Sequence, residues 1–228
     1  TGFGADDTPL SRAVGRAFGI AMVRRARNPG CQQDYVLVIE GPQGVGKSRG
    51  LAALVGEDWL LENLPDLHDK DAMANLAGSW LCEIAELVSL RRSEVETMKA
   101  YVTRRHDKFR PAYGRNRITM KRVCSFAGTT NAATYLKDVT GNRRYWIVTS
   151  RAGVDVQWLA ANRDRIWGLA AAAERAGETS WIADTVLQET LAAEQAERQE
   201  VDPWSETVEA WLEGGPGVVF HREDTPRD

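Results

Sequence analysis

Residues 35–39, Tyr-Val-Leu-Val-Ile, form an unbroken apolar run between Asp34 and Glu40. A run of that length without alternation is what a strand buried on both faces of a parallel sheet requires. Upstream, Leu10, Val14, Phe18 and Met22 recur every fourth residue, one apolar stripe of a helix over Pro9 to Arg27 that Asn28-Pro29-Gly30 stops. Downstream, the pattern predicts a helix over Ser48 to Val55 and an irregular stretch over 56–70. A short helix is predicted over Asp71 to Ala77, ended by Gly78. Residues 79–87 read as a second buried strand running into Glu83 and Glu86, and Ser93 opens a helix to about Arg105 with Glu96 at the capping-box position. Pro111, Gly114 and Asn116 between Phe109 and Arg122 suit a β-hairpin. Val123 to Gly128 is a third core strand ending in Thr129-Thr130-Asn131. After a turn at Gly141-Asn142, Arg144 to Val148 is a fourth strand. A long helix is predicted over Asp155 to Ala176 with an interruption near Gly168, then a surface helix over 184–200. A last helix runs from Asp202-Pro203 through Leu212, closed by Gly214-Gly215-Pro216-Gly217.

Strands alternating with helices imply an α/β sandwich around a mostly parallel sheet. Three segments follow: an N-terminal helical segment (1–30), a nucleotide-binding core (31–180) and a truncated C-terminal helical segment (181–228). The chain begins at Thr1 and carries no leader-like segment, as expected of a piece of a longer protein. No apolar run approaches the roughly 18 residues of a membrane span. Cys31, Cys82 and Cys124 lack a paired spacing and suit a reducing compartment. His68, His106 and His221 are scattered, without metal-ligand spacing.

The net charge of −3 conceals two opposed blocks. Residues 91–122 hold eleven Lys/Arg against three Asp/Glu, a local +8. Residues 178–213 hold ten acids against Arg198 alone, a local −9. A basic block in an acidic protein points to a surface facing nucleic acid.

The first strand leads into Gly41-Pro42-Gln43-Gly44-Val45-Gly46-Lys47-Ser48, a full match to the phosphate-binding loop pattern in the strand–loop–helix context the pattern requires. Backbone N–H groups of such a loop cradle nucleotide phosphates, the lysine reaches the β/γ-phosphates and the serine hydroxyl ligates Mg²⁺. Ligands of parallel sheets sit at the carboxyl ends of the strands. Those ends carry Lys47 and Ser48, then Glu83 and Glu86, then Asn131, while Arg143 and Arg144 precede the fourth strand. One carboxylate at the metal, one on the attacking water, an amide on the γ-phosphate and an arginine for developing charge make a hydrolytic set.

Taken in order, these motifs resemble the virulence-associated protein E family of phage and mobile-element ATPases, which is similar to superfamily 3 helicases and phage primase-helicases. The resemblance covers roughly residues 10–180. It rests on the Gly41–Ser48 loop, Trp80-Leu-Cys-Glu-Ile-Ala-Glu-Leu87, Met98-Lys99-Ala-Tyr101, Asp107-Lys-Phe-Arg110-Pro-Ala-Tyr113-Gly-Arg115, Phe126-Ala-Gly-Thr-Thr-Asn131 and Leu136 to Trp146. The chain departs from the pattern after Trp167, where Gly168-Leu169-Ala170 replaces an acidic run. The resemblance implies an AAA+ P-loop fold and a cytoplasmic ATP hydrolase with ATP and Mg²⁺ at residues 41–49. It also implies a ring, hexameric in relatives, around single-stranded DNA, and a primase or replication-initiation domain elsewhere in the protein. Glu83 and Glu86 fall in the Walker B region, with Glu86 favoured by its spacing to Lys99. Asn131 matches sensor 1, and Arg143 or Arg144 the arginine given to a neighbouring subunit. Arg110, Arg115, Arg117 and Lys121 of the hairpin, with Lys99, face DNA. A DNA-binding ATPase switch, such as an initiator, loader or defence ATPase that binds ATP but does not unwind, is the alternative reading.

Overall fold

The computed structural model describes residues 2–64, 74, 76–87, 92–111, 114–138, 141–200 and 211. Of the predicted helix over 71–77 only 74, 76 and 77 are described, and of that over 202–212 only 211.

Helix α1 (Pro9–Arg27) starts where Thr8 and Ser11 exchange backbone-to-side-chain hydrogen bonds with Pro9 in the first turn. Such a reciprocal cap satisfies two otherwise orphan N–H groups. Strand β1 (Val36–Glu40) follows, then helix α2 (Lys47–Val55) and a short edge strand β2 (Leu60–Leu61). Strand β3 (Leu81–Ile84), helix α3 (Arg92–Val102) and the antiparallel pair β4 (His106–Phe109) and β5 (Ile118–Lys121) come next. The chain continues through β6 (Ser125–Thr130), β7 (Tyr145–Thr149), α4 (Val156–Arg175) and α5 (Thr185–Glu197). Asp155 and Asp184 cap the last two helices by accepting from Trp158 N and Leu187 N.

The five main strands pair in the order β2-β3-β6-β1-β7, all parallel. β1 is therefore flanked by strands that come far later in the chain, which explains its continuous apolar sequence. Leu37 and Ile39 face one layer with α1, α2, Leu159 of α4 and Leu191 of α5. Val36 and Val38 face the other, with Met98, Tyr101 and Val102 of α3 and with Tyr135 and Leu136. The result is the three-layer P-loop NTPase-type sandwich expected from the sequence, with α1 and α5 sharing its core.

Several boundaries differ from the sequence reading. Helix α3 ends at Val102, not Arg105, because Thr103 Oγ1 turns back onto the carbonyls of Lys99 and Ala100 and Arg122 takes the carbonyl of Tyr101. The first arm of the hairpin accordingly begins at His106 rather than Phe109. Strand β6 starts two residues later than expected and includes Thr129 and Thr130. Helix α4 runs unbroken through Gly168, since one exposed glycine costs only about 1 kcal/mol relative to alanine.

Candidate functional site

The loop between β1 and α2 is set by its glycines. Gly44 and Gly46 have φ of +82° and +92°, in the left-handed region where a side chain is strained. A Cβ on Gly41 would lie 2.7 Å from the Ser150 carbonyl, so only glycine fits where the loop leaves the sheet. Gly46 is the N-cap of α2 and contributes no side-chain bond, leaving the first N–H groups of that helix to outside partners.

Lys47 bends back over the loop, its ammonium donating to the carbonyls of Gly41 and Pro42 at 2.8 Å each. Burial lowers its pKa, opposed by the nearby Glu83 carboxylate. Ser48 Oγ donates to Glu83 Oε1 at 2.6 Å, and Thr129 Oγ1 donates to the same oxygen at 2.8 Å. Glu83 is 2 % exposed and lies within β3 rather than past its end. Three adjacent elements thus meet at one carboxylate: α2 through Ser48, β3 through Glu83, β6 through Thr129. Glu86 is exposed in the turn after β3, with a left-handed φ of +52°. Asn131 is exposed immediately after β6, one residue past the Glu40–Thr130 pairing. Pro42, Gln43, Val45 and Arg49 line the loop and first turn. From Ser48 and Arg49 an open groove of about 1330 Å³ runs along α2 to Trp59, Trp80 and Trp167.

The residues present fit a magnesium nucleotide. A buried carboxylate with a hydroxyl at hydrogen-bond distance is the all-oxygen donor set a hard divalent cation takes. The glycine loop leaves open space where a Cβ atom at Gly44 would stand.

The arginines lie at the other end of the sheet. Tyr145 pairs with Val36, so Arg143 and Arg144 sit beside the start of β1, five strand residues and about 16 Å from the loop. They border a cleft of about 390 Å³ with Asp34, Tyr35, Trp146 and Gln188. Arg144 Nε is buried there without a hydrogen-bond partner among the described residues. The structure does not bring these arginines to the chain's own loop.

The basic residues divide. Arg110, Arg115, Arg117 and Lys121 are exposed on or beside the β4–β5 hairpin. Lys99 is not among them: it is 7 % exposed, ion-paired to Asp138 and, at 3.0 Å, to Glu96. It lies on α3 beside the buried Val95, Met98 and Val102, where an ammonium needs a carboxylate partner.

The virulence-associated protein E-like domain family matches residues 1–200. The chain belongs to that family. Among solved structures, one apo structure of the NrS-1 C-terminal region superposes with a TM-score of 0.57 at 12 % identity, covering 88 % of this chain and 50 % of that one. A second apo structure of the same region, in its A form, gives 0.53 at 13 % identity, covering 90 % and 56 %. The chain therefore spans about half the length of these structures, and at such identity they share its fold. No curated protein matches it.

Two features of this virulence-associated protein E-like domain escape sequence reading. Thr129 is legible only as a strand residue, yet it holds Glu83. Glu40, the last residue of β1, is gripped by Arg198 through two hydrogen bonds of 2.6 and 2.7 Å and also accepts from Thr149 and Tyr135. Burial would raise the Glu40 pKa, but these bonds outweigh it and hold the carboxyl below its usual value. The one signal in the sequence is that Arg198 is the sole basic residue in the acidic block.

Proposed function

We propose that this domain is an ATP-dependent DNA helicase or translocase core acting on single-stranded DNA in phage or mobile-element replication. Family membership and the P-loop-type fold support a replication-related role. The observation that carries the reading is the convergence of Ser48, Glu83 and Thr129 on one buried oxygen beside the glycine loop. Lys47 and the loop amides, from Gly41 to Ser48, hold the phosphates, with Arg49 at the groove. Ser48 and Glu83 hold Mg²⁺, which when bound supplies charge neutralisation at the phosphates. Glu83 is taken as the metal-side acid because the serine touches it. Glu86, on its strained turn, and Asn131 are the groups left to orient water and the γ-phosphate.

Arg143 and Arg144, far from their own loop, serve the nucleotide of a neighbouring copy in a ring, and the hairpin arginines with Lys121 track the DNA backbone. A primase or initiation domain elsewhere in the protein completes the assembly.

The test is ATP turnover with and without single-stranded DNA, at concentrations that allow assembly. DNA-stimulated turnover that Lys47→Ala abolishes is the expected result. Nucleotide binding without turnover under either condition, and no strand displacement on forked DNA, would instead establish the switch reading.

A further inference from the structure

A strong electrostatic contact lies at the base of the phosphate loop. Glu40 occupies the carboxyl end of β1, directly before Gly41, where an anionic ligand of the loop would approach. Its backbone is fixed on both sides: the Glu40 carbonyl accepts from Ser150 N at 2.7 Å, and Gly41 N donates to the Thr130 carbonyl at 3.2 Å. The Gly41 carbonyl in turn holds the Lys47 ammonium. A bare carboxylate at this point would oppose phosphate binding. Here it is not bare, because both of its oxygens accept from the Arg198 guanidinium.

Arg198 is itself set by two other attachments. Its carbonyl accepts from Tyr135 N and Leu136 N at 3.0 Å, and Glu200 N donates to the Leu136 carbonyl at 2.9 Å. Residues 198–200 therefore lie as a short parallel bridge on the segment that follows Asn131. Its guanidinium also bonds Glu194 at 2.6 Å, and its side chain is 12 % exposed. The segment that ends α5 is thus docked against both flanks of the nucleotide site, the end of β1 and the chain beyond Asn131.

We propose that Arg198 is a positioning residue that sets nucleotide affinity by neutralising Glu40 at the base of the phosphate loop, so that affinity depends on the seating of residues 198–200. The inference rests on the phosphate-loop reading above. Arg198 acts through Glu40 and Gly41, without touching the nucleotide.

Binding of a fluorescent ATP analogue with Mg²⁺, measured below the unfolding temperature of every variant, tests this. Arg198→Ala is expected to weaken binding about tenfold, as an uncompensated charge near the site requires. Adding Glu40→Gln to that variant is expected to restore affinity to within about threefold, since the offending charge is then gone. Arg198→Lys, which keeps the charge and loses the fork, is expected to recover only part of the affinity that Arg198→Ala loses. A merely structural role predicts the reverse: the double variant binds no better than Arg198→Ala, and affinity tracks thermal stability.

Should Arg198→Ala not fold, Glu40→Gln alone decides. Binding equal to or tighter than wild type supports the proposal, and a tenfold loss overturns it. If wild type binds nucleotide, Lys47→Ala does not, and Arg198→Ala binds as wild type, this proposal falls and the loop reading stands. If wild type itself binds none, both fall.

Discussion

At the scale of single residues, spacing and environment give different answers about Glu83 and Glu86. Resemblance and the spacing to Lys99 favour Glu86 as the main acid, whereas the contacts in the structure gather around Glu83. Glu83 pairs with Ala127 in the sheet and accepts from Ser48 of α2 and Thr129 of β6. Lys99 shows the converse failure. A lysine in a basic block reads as a DNA contact, yet its helix position puts it among apolar neighbours, where Asp138 must accompany it. Lys99→Met is therefore expected to lower stability by about 2–3 kcal/mol, toward the low end for a broken buried pair because Asp138 is 21 % exposed. Urea unfolding reads this, and affinity for single-stranded DNA should stay unchanged. A variant that unfolds at the wild-type urea concentration but binds DNA more weakly would return Lys99 to the DNA surface.

Among the elements, those with a local cause were legible and those with a distant cause were not. Helix α1 carries its cap, its stripe and its stop within its own sequence, and its bounds match the expectation at both ends. The loop and α2 are equally local. The end of α3 is decided by Arg122, twenty residues downstream, which reaches the Tyr101 carbonyl and pairs with Asp107 at 2.8 Å through Nε. Arg25 of α1 takes the Arg104 carbonyl at 2.8 Å. No window centred on α3 contains either arginine.

The hairpin so anchored projects its outer positions: Lys108, Thr119 and Lys121 are exposed while Asp107 and Phe109 are buried. Replacing Arg115, Arg117 and Lys121 together by alanine should make log affinity fall less steeply with log salt. The slope should shrink by about 0.7 for every single-strand phosphate that these side chains neutralise. An unchanged slope removes the hairpin from the DNA site.

For the whole molecule, the loop and the arginines lie at opposite ends of the sheet, and the function proposed above assigns them to different copies of the chain. Copies carrying Lys47→Ala and copies carrying Arg143→Ala with Arg144→Ala should each turn over little ATP alone. Mixed in equal amounts, roughly a quarter of the head-to-tail interfaces would join an intact loop to intact arginines, and turnover should reappear. Turnover that stays at the sum of the separate samples would place the arginines outside the reaction. No helix among the described residues is long and apolar enough to cross a membrane.

The same sheet order bears on how the chain is made. β1 finds its partners only in β6 and β7, so everything between Glu40 and Ser125 must be synthesised before the central strand can pair with either neighbour. At roughly 5–20 residues per second that interval lasts several seconds. Throughout it, Val36 to Ile39 are an apolar segment on the ribosome with unpaired backbone groups, a ready substrate for a chaperone and the first place where overproduction would seed aggregates.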